Sequence, residues 1–292
     1  MRWISSLVVL FPIVAHAAEF TGDFCDARTR GTMTATIDKI ADDRGMRIAF
    51  ENDGGLAGGG VCWWHSRLQR AAWYLARFDA MAPAPTRDEA KRLVRRLVSR
   101  KEVVTIPGYA DFRSFTKDFE PVVQSELNAW QLRDAFINQA YLRGLSGVSH
   151  YRHPEKFRAR LEKVFTEYNE ARARGDVVWV MLQMRGIASH ASLIRGMELT
   201  PDGGFRIAMV DSNFPDKLVE YVARPGDLEL NPSSIQVDDY TSVPYAGFTR
   251  DLRRIHRAVE RYCDPDFKST PAEDAEDADD TVDPRDFDLL VD

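Results

Sequence analysis

The stretch GGGVCWWHSRLQRAAWYL, Gly58 to Leu75, runs a set of glycines into a cysteine that opens a helical pattern. Leu68, Ala71, Ala72 and Leu75 fall on one stripe at helical spacing, so the pattern predicts a helix over Cys62 to Phe78 with Cys62 in its first turn. A sulfur kept only for packing needs no glycine approach. A helix N-terminus favours a thiolate, because unpaired backbone N–H groups and the helix dipole stabilise negative charge there. Glycines also leave the backbone bare where a substrate would come in. Cys62 is therefore the candidate nucleophile.

A thiolate nucleophile needs a base that can hold it as an ion pair and then protonate a leaving group. His190, in RGIASHASLIRG after the apolar strand Val177 to Met184, is the candidate. The base must itself be oriented by a third polar group. The strand that starts at His190 turns at TPDGG and returns to end at Asp211, which makes Asp211 the candidate orienter and Asn213 the alternative. A tight two-residue turn would leave the two strand ends out of register, so a bulge or a looser turn is required between them. His65 is expected on the solvent side of its helix, and Trp63 and Trp64 in core and cleft wall. His150 and His153, in HYRHP, have only weak metal spacing and are read as a loop entering a helix. No metal and no organic cofactor is expected.

The first residues, MRWISSLVVLFPIVAHAAEF, combine Arg2, an apolar run from Leu7 to Val14, and Ala15-His16-Ala17 before an expected cut. This reads as a cleaved signal peptide over residues 1–18, which implies an exported chain, periplasmic or secreted. No run approaches the ~18 apolar residues of a membrane helix. From Asp264 to Asp292, twelve Asp/Glu against Lys268 and Arg285 give a net of -10, which out of a total of -6 leaves the rest at +4. Like charges without apolar residues cannot form a core, so residues 264–292 are expected to be a disordered tail. Its terminal Phe287, Leu289, Leu290 and Val291 leave open a docking role toward a partner. A body at +4, with no basic stripe interleaved with aromatics, gives no sign of nucleic-acid binding.

Three cysteines in an exported chain leave one over. Cys25 and Cys263 would together close nearly the whole body and leave Cys62 free; the rival pairing joins Cys25 to Cys62. Between them the helical signals come first. Thr86 followed by Glu89 makes a capping box before RDEAKRLVRRLVSRK, and Pro154 opens PEKFRARLEKVFTEYNEARARG. Past Gly175 come short β-branched or alternating segments, among them HASLIRGMEL, GFRIAMV, KLVEYVAR and SSIQVDDY, and then a last helix, TRDLRRIHRAVERYC. Helices first and an antiparallel sheet second give an α+β class, with one domain expected over residues 19–263.

With these residues in place, CWWHS at Cys62 to Ser66 resembles the C-W-x-x-S that opens the catalytic helix of papain-like cysteine proteases. HASLIRG, His190 to Gly196, is similar to their H-A-x-x-x-x-G strand, and DSN at Asp211 to Asn213 falls where they carry Asn-Ser-Trp. The order Cys, His, Asp looks closer to the bacterial YopT-like peptidases than to papain itself. The resemblance implies a papain-like fold, a helical half with the catalytic helix followed by a β half. It further implies a cysteine peptidase working through an acyl-enzyme on protein or peptide substrates, with Cys62 as nucleophile, His190 as base and acid, and Asp211 orienting His190. The family's oxyanion glutamine would fall at Leu56, which has no donor; Asn52 is expected in that role, with Gln183 next in line. A cell-wall amidopeptidase or transamidase on the same triad, or a catalytically silent binding protein on the same fold, are the alternatives.

Overall fold

A computed structural model describes residues 24–25, 33–55, 60–133, 153–184, 189–235, 241–247, 249–264, 266–268 and 270. The expected leader at 1–18, Leu56, Gly58, Gly59, His150 and the residues beyond 270 of the expected tail lie outside them. Among the described residues there are seven α-helices: α1 Met33–Asp42, α2 Cys62–Leu75, α3 Arg87–Ser99, α4 Phe112–Asp118, α5 Glu120–Arg133, α6 Pro154–Ala173 and α7 Thr249–Cys263. The strands are β1 Ala76–Asp79, β2 Val104–Pro107, β3 Trp179–Met184, β4 Ser189–Leu199, β5 Phe205–Asp211, β6 Leu218–Ala223, β7 Asn231–Pro232 and β8 Ser242–Gly247. Strands β3 to β8 form one antiparallel sheet in the order β7-β6-β5-β4-β3-β8. The class is α+β, with most helices before the sheet and one after it.

Local sequence explains several of these limits. Thr86 Oγ1 accepts from the Glu89 N–H while Glu89 Oε2 accepts from the Thr86 N–H at 2.8 Å, the reciprocal capping box that starts α3. Pro154 starts α6, where its missing N–H costs nothing. Helix α2 departs from its expected form in two ways. It stops at Leu75 rather than Phe78, because Ala76–Asp79 pairs in parallel with Val104–Pro107 instead of continuing the helix. It also has no solvent face, since every residue from Trp63 to Leu75 is buried. The sequence reading puts His65 at the surface, and the structure places it in the interior, 3% exposed, in hydrogen-bond contact with the Phe50 carbonyl at 3.3 Å.

The core lies where α2 meets the large sheet. Trp63 stacks edge-on against Trp179 of β3 with ring centroids 4.8 Å apart, and the Trp179 indole N–H donates to Ser66 Oγ at 2.9 Å. Cys25 and Cys263 form a disulfide, which sets aside the rival Cys25–Cys62 pairing and leaves Cys62 a free thiol. Of the expected strand SSIQVDDY, residues 233–235 lie in no strand, and 236–240 fall outside the described residues. No helix among the described residues is long and apolar enough to cross a membrane.

Candidate active site

Cys62 is the first residue of α2, and its backbone N–H therefore faces outward at the positive end of a 14-residue helix. Gly60, two residues earlier, has φ 79°, a left-handed conformation that suits glycine. The Cys62 sulfur lies 4.0 Å from the carbonyl oxygen of Ser189, the residue before His190 at the start of β4. Cys62 lies near enough to the His190 imidazole to contribute to the rise in its pKa.

The hairpin of β4 and β5 delivers the other two residues. Ser192 pairs with Asp211 across the ladder, and the register slips by one residue between Ile194 and Gly196. That slip is the bulge the sequence requires, with Arg195 as the extra residue; its guanidinium reaches Asp38 and Asp42. Side chains two apart on a strand share a face, so His190 and Ser192 stand beside Asp211. His190 Nε2 meets Asp211 Oδ1 at 2.8 Å, Ser192 Oγ donates to Asp211 Oδ2 at 3.2 Å, and the Asn213 N–H donates to Asp211 Oδ1 at 2.8 Å. Asn213, the alternative orienter, thus acts on Asp211 through its backbone.

The electrostatics follow from these contacts. Burial disfavours the imidazolium of His190, but the Asp211 charge and hydrogen bond, with a contribution from Cys62, raise its pKa well above the ordinary value of 6.5. Burial likewise disfavours the Asp211 carboxylate, yet His190, the Asn213 N–H and the Ser192 hydroxyl hold its pKa below the usual carboxylate value. The two partners agree: the imidazolium–carboxylate form is favoured. His65, on the next turn of α2, is the opposite case. Burial drops its pKa to about 4, so it stays neutral between its neighbours.

Asn52 is near the site and engaged. Its Oδ1 accepts from the Val61 N–H at the start of α2, and its Nδ2 donates to Asn213 Oδ1 at 3.0 Å. For the oxyanion role expected of it, only the second amide hydrogen remains. Gln183 is buried on β3 opposite Ser189, with its Nε2 donating to the Met184 carbonyl at 3.2 Å. Among the described residues no group of three or more His, Cys, Asp or Glu side chains is placed to hold a metal ion. His153 precedes α6 as its N-cap residue, the loop-into-helix position expected of it.

Sequence reasoning missed Ser192 and the true environment of His65. The i, i+2 spacing of His190 and Ser192 on a strand is the signal that could have found the first. Comparison of the chain with protein-family models, with curated proteins and with solved structures finds no match in any of the three.

Proposed function

We propose that the chain is a papain-like cysteine hydrolase, a peptidase acting on protein or peptide substrates through Cys62, His190 and Asp211. The observation that carries this reading is the arrangement itself: a thiol at the first position of a helix, 4.0 Å from the carbonyl of the residue before His190, and an imidazole whose Nε2 is held at 2.8 Å by a buried carboxylate. With Nε2 held by Asp211, Nδ1 is the nitrogen that serves the sulfur. A free cysteine beside a disulfide, in a chain that begins with a leader-like segment, supports an exported enzyme working in an oxidising compartment.

The chemistry follows from these positions. The Cys62 thiolate attacks the substrate carbonyl carbon and an S–C bond forms. The oxyanion gathers at the Cys62 N–H, an outward-facing donor of the first helical turn. The C–N bond breaks as the His190 imidazolium gives its proton to the departing amine. Neutral His190 then takes a proton from water, the hydroxide attacks the thioester, and the sulfur leaves as thiolate beside a regenerated imidazolium. Asp211 keeps Nε2 fixed throughout.

The test is alkylation and hydrolysis measured together. Iodoacetamide should label Cys62 rapidly at pH 6, where an ordinary thiol is almost wholly protonated, and His190→Ala should push that labelling to alkaline pH. Hydrolysis of a peptide should vanish in Cys62→Ser. Asp211→Asn should pull the alkaline limb of the rate profile down toward 6.5, because the Asp211 charge raises the His190 pKa. Labelling of the wild type that follows an ordinary thiol titration and ignores His190→Ala overturns the reading.

A further inference from the structure

The site contains a closed circuit. The Val61 N–H donates to Asn52 Oδ1; Asn52 Nδ2 donates to Asn213 Oδ1; the Asn213 N–H donates to Asp211 Oδ1; Asp211 holds His190; and Cys62, the chain neighbour of Val61, has its sulfur 4.0 Å from the carbonyl of Ser189, the chain neighbour of His190. The backbone takes part as well, since the Asn52 N–H donates to the Ser212 carbonyl at 2.8 Å. Asn52 therefore joins the start of the nucleophile helix to the turn that follows the orienting aspartate. Asn52 and Asn213 lie 161 residues apart, and the two elements belong to the helical and β parts of the fold.

From this geometry we infer that Asn52 is a positioning residue, a clamp that sets the approach of Cys62 to His190. The inference rests on the hydrolase reading for its functional meaning. Both functional ends of the amide are used: a helix-start N–H on one side and a side-chain carbonyl on the other. Gly60 is shaped for it. A Cβ on Gly60 would sit 2.4 Å from Asn52 Nδ2, so a side chain there would expel the amide from between its partners. Helix α2 has no side-chain cap at Val61, its N-cap residue, and Asn52, nine residues upstream, instead ties down the N–H of Val61 itself.

A clamp and an oxyanion donor leave different kinetic traces. Alkylation by iodoacetamide displaces iodide from a saturated carbon and forms no oxyanion, so it reports only the thiolate–imidazolium pair. Loss of an oxyanion donor lowers turnover and leaves alkylation intact. Loss of a clamp lowers both. In Asn52→Ala the rate of Cys62 labelling at pH 6 and kcat for a peptide should fall together, each by up to about a hundredfold, as a displacement of order 1 Å produces, with KM little changed. Asn213→Ala, which keeps the backbone bond to Asp211 and the Asn52–Val61 bond, should act in the same direction more weakly. The double variant should be no worse than Asn52→Ala. Amide hydrogen exchange should find Val61 protected in the wild type and exposed in Asn52→Ala. Unchanged labelling with reduced kcat would assign Asn52 to the oxyanion and overturn the clamp, as would unchanged labelling and unchanged kcat in both variants. A wild type with an ordinary thiol would defeat the hydrolase reading instead, and the Val61 exchange would still decide the clamp.

Discussion

Asp211 and Asp251 are both buried carboxylates held by cations, and α2 supplies groups to the neighbourhood of each, yet the two sites are built for opposite purposes. Asp211 is held by one imidazole, one hydroxyl and one backbone N–H. Asp251, on α7, receives Arg67 on both oxygens at 2.7 Å, Arg70 at 3.2 Å and Arg100 at 3.5 Å, all of them buried. The Arg67 guanidinium also lies 4.1 Å from the centre of the Trp64 ring. Burial and the neighbouring Arg67 lower the Arg100 pKa to about 9, which still leaves it charged at neutral pH. Guanidinium groups fix charge, whereas an imidazole trades a proton within the working range of pH. The Asp251 cluster anchors α2 to α7; the first turn of the same helix is thereby presented to a group that can titrate.

Breaking the anchor should have the largest effect on folding. Asp251→Asn leaves three guanidiniums buried without their carboxylate, and removal of one partner from a buried ion pair costs about 3–5 kcal/mol. Urea unfolding should show that loss, while Cys62 labelling at pH 6 in the folded fraction stays close to wild type. Asp211→Asn should show the reverse, a changed labelling profile with a smaller loss of stability. If Asp251→Asn altered the labelling profile of folded protein, the two roles would not be separable.

His65 sits between the two sites on α2 and sharpens the contrast through pH. The unfolded chain binds a proton at this residue below about 6.5, whereas the folded chain resists until about 4, because burial disfavours the cation. Its contribution to stability is full above pH 6.5 and is lost as pH falls toward 4. At ~1.36 kcal/mol per pH unit this amounts to about 3 kcal/mol. Chemical denaturation between pH 4 and 7 should show the slope, and His65→Gln should flatten it. A His65→Gln protein with an unchanged slope would place the acid sensitivity elsewhere.

Why His65 and Arg67 escape a reading of the sequence is the same physical fact. Periodicity identifies one apolar stripe on α2 and assigns the rest to solvent, but a central helix is covered on all sides, and its polar residues are satisfied by partners distant in sequence, such as Asp251 for Arg67. The parallel pair β1–β2 is illegible for a related reason: Ala-Arg-Phe-Asp and Val-Thr-Ile-Pro alternate over only four residues each, too few to stand out beside the helical pattern that precedes β1. What the sequence does reveal is local or forced. The Thr86–Glu89 box lies within one turn of helix. The Cys25–Cys263 bridge was one of two pairings open to parity. The His190–Asp211 contact follows from hairpin geometry once a bulge is allowed. Asn52 stands out in the sequence only as a donor where Leu56 has none, while its bond to Asn213 spans 161 residues and no local pattern announces it.

Ser192 gives the smallest and most selective way to probe the Asp211 side of the comparison. Its hydroxyl is fully buried and donates to Asp211 Oδ2, the oxygen that His190 does not use. Replacing it with alanine removes one hydrogen bond to a charged group and keeps the charge itself. A bond of this kind contributes about 1.5 kcal/mol at the low end of its range, so kcat should fall roughly tenfold if most of that difference is felt in the transition state. The direction of the pH effect is fixed by which form the hydroxyl favours. It stabilises the carboxylate, so its loss raises the Asp211 pKa toward the ordinary value, and activity should fail at a higher pH on acidification. At neutral pH Asp211 remains charged, so the alkaline limb, which reports His190, should hardly move. Asp211→Asn removes the charge and should move the alkaline limb instead. A Ser192→Ala protein whose alkaline limb shifted as far as that of Asp211→Asn would mean that the hydroxyl, and not the carboxylate, governs the imidazole.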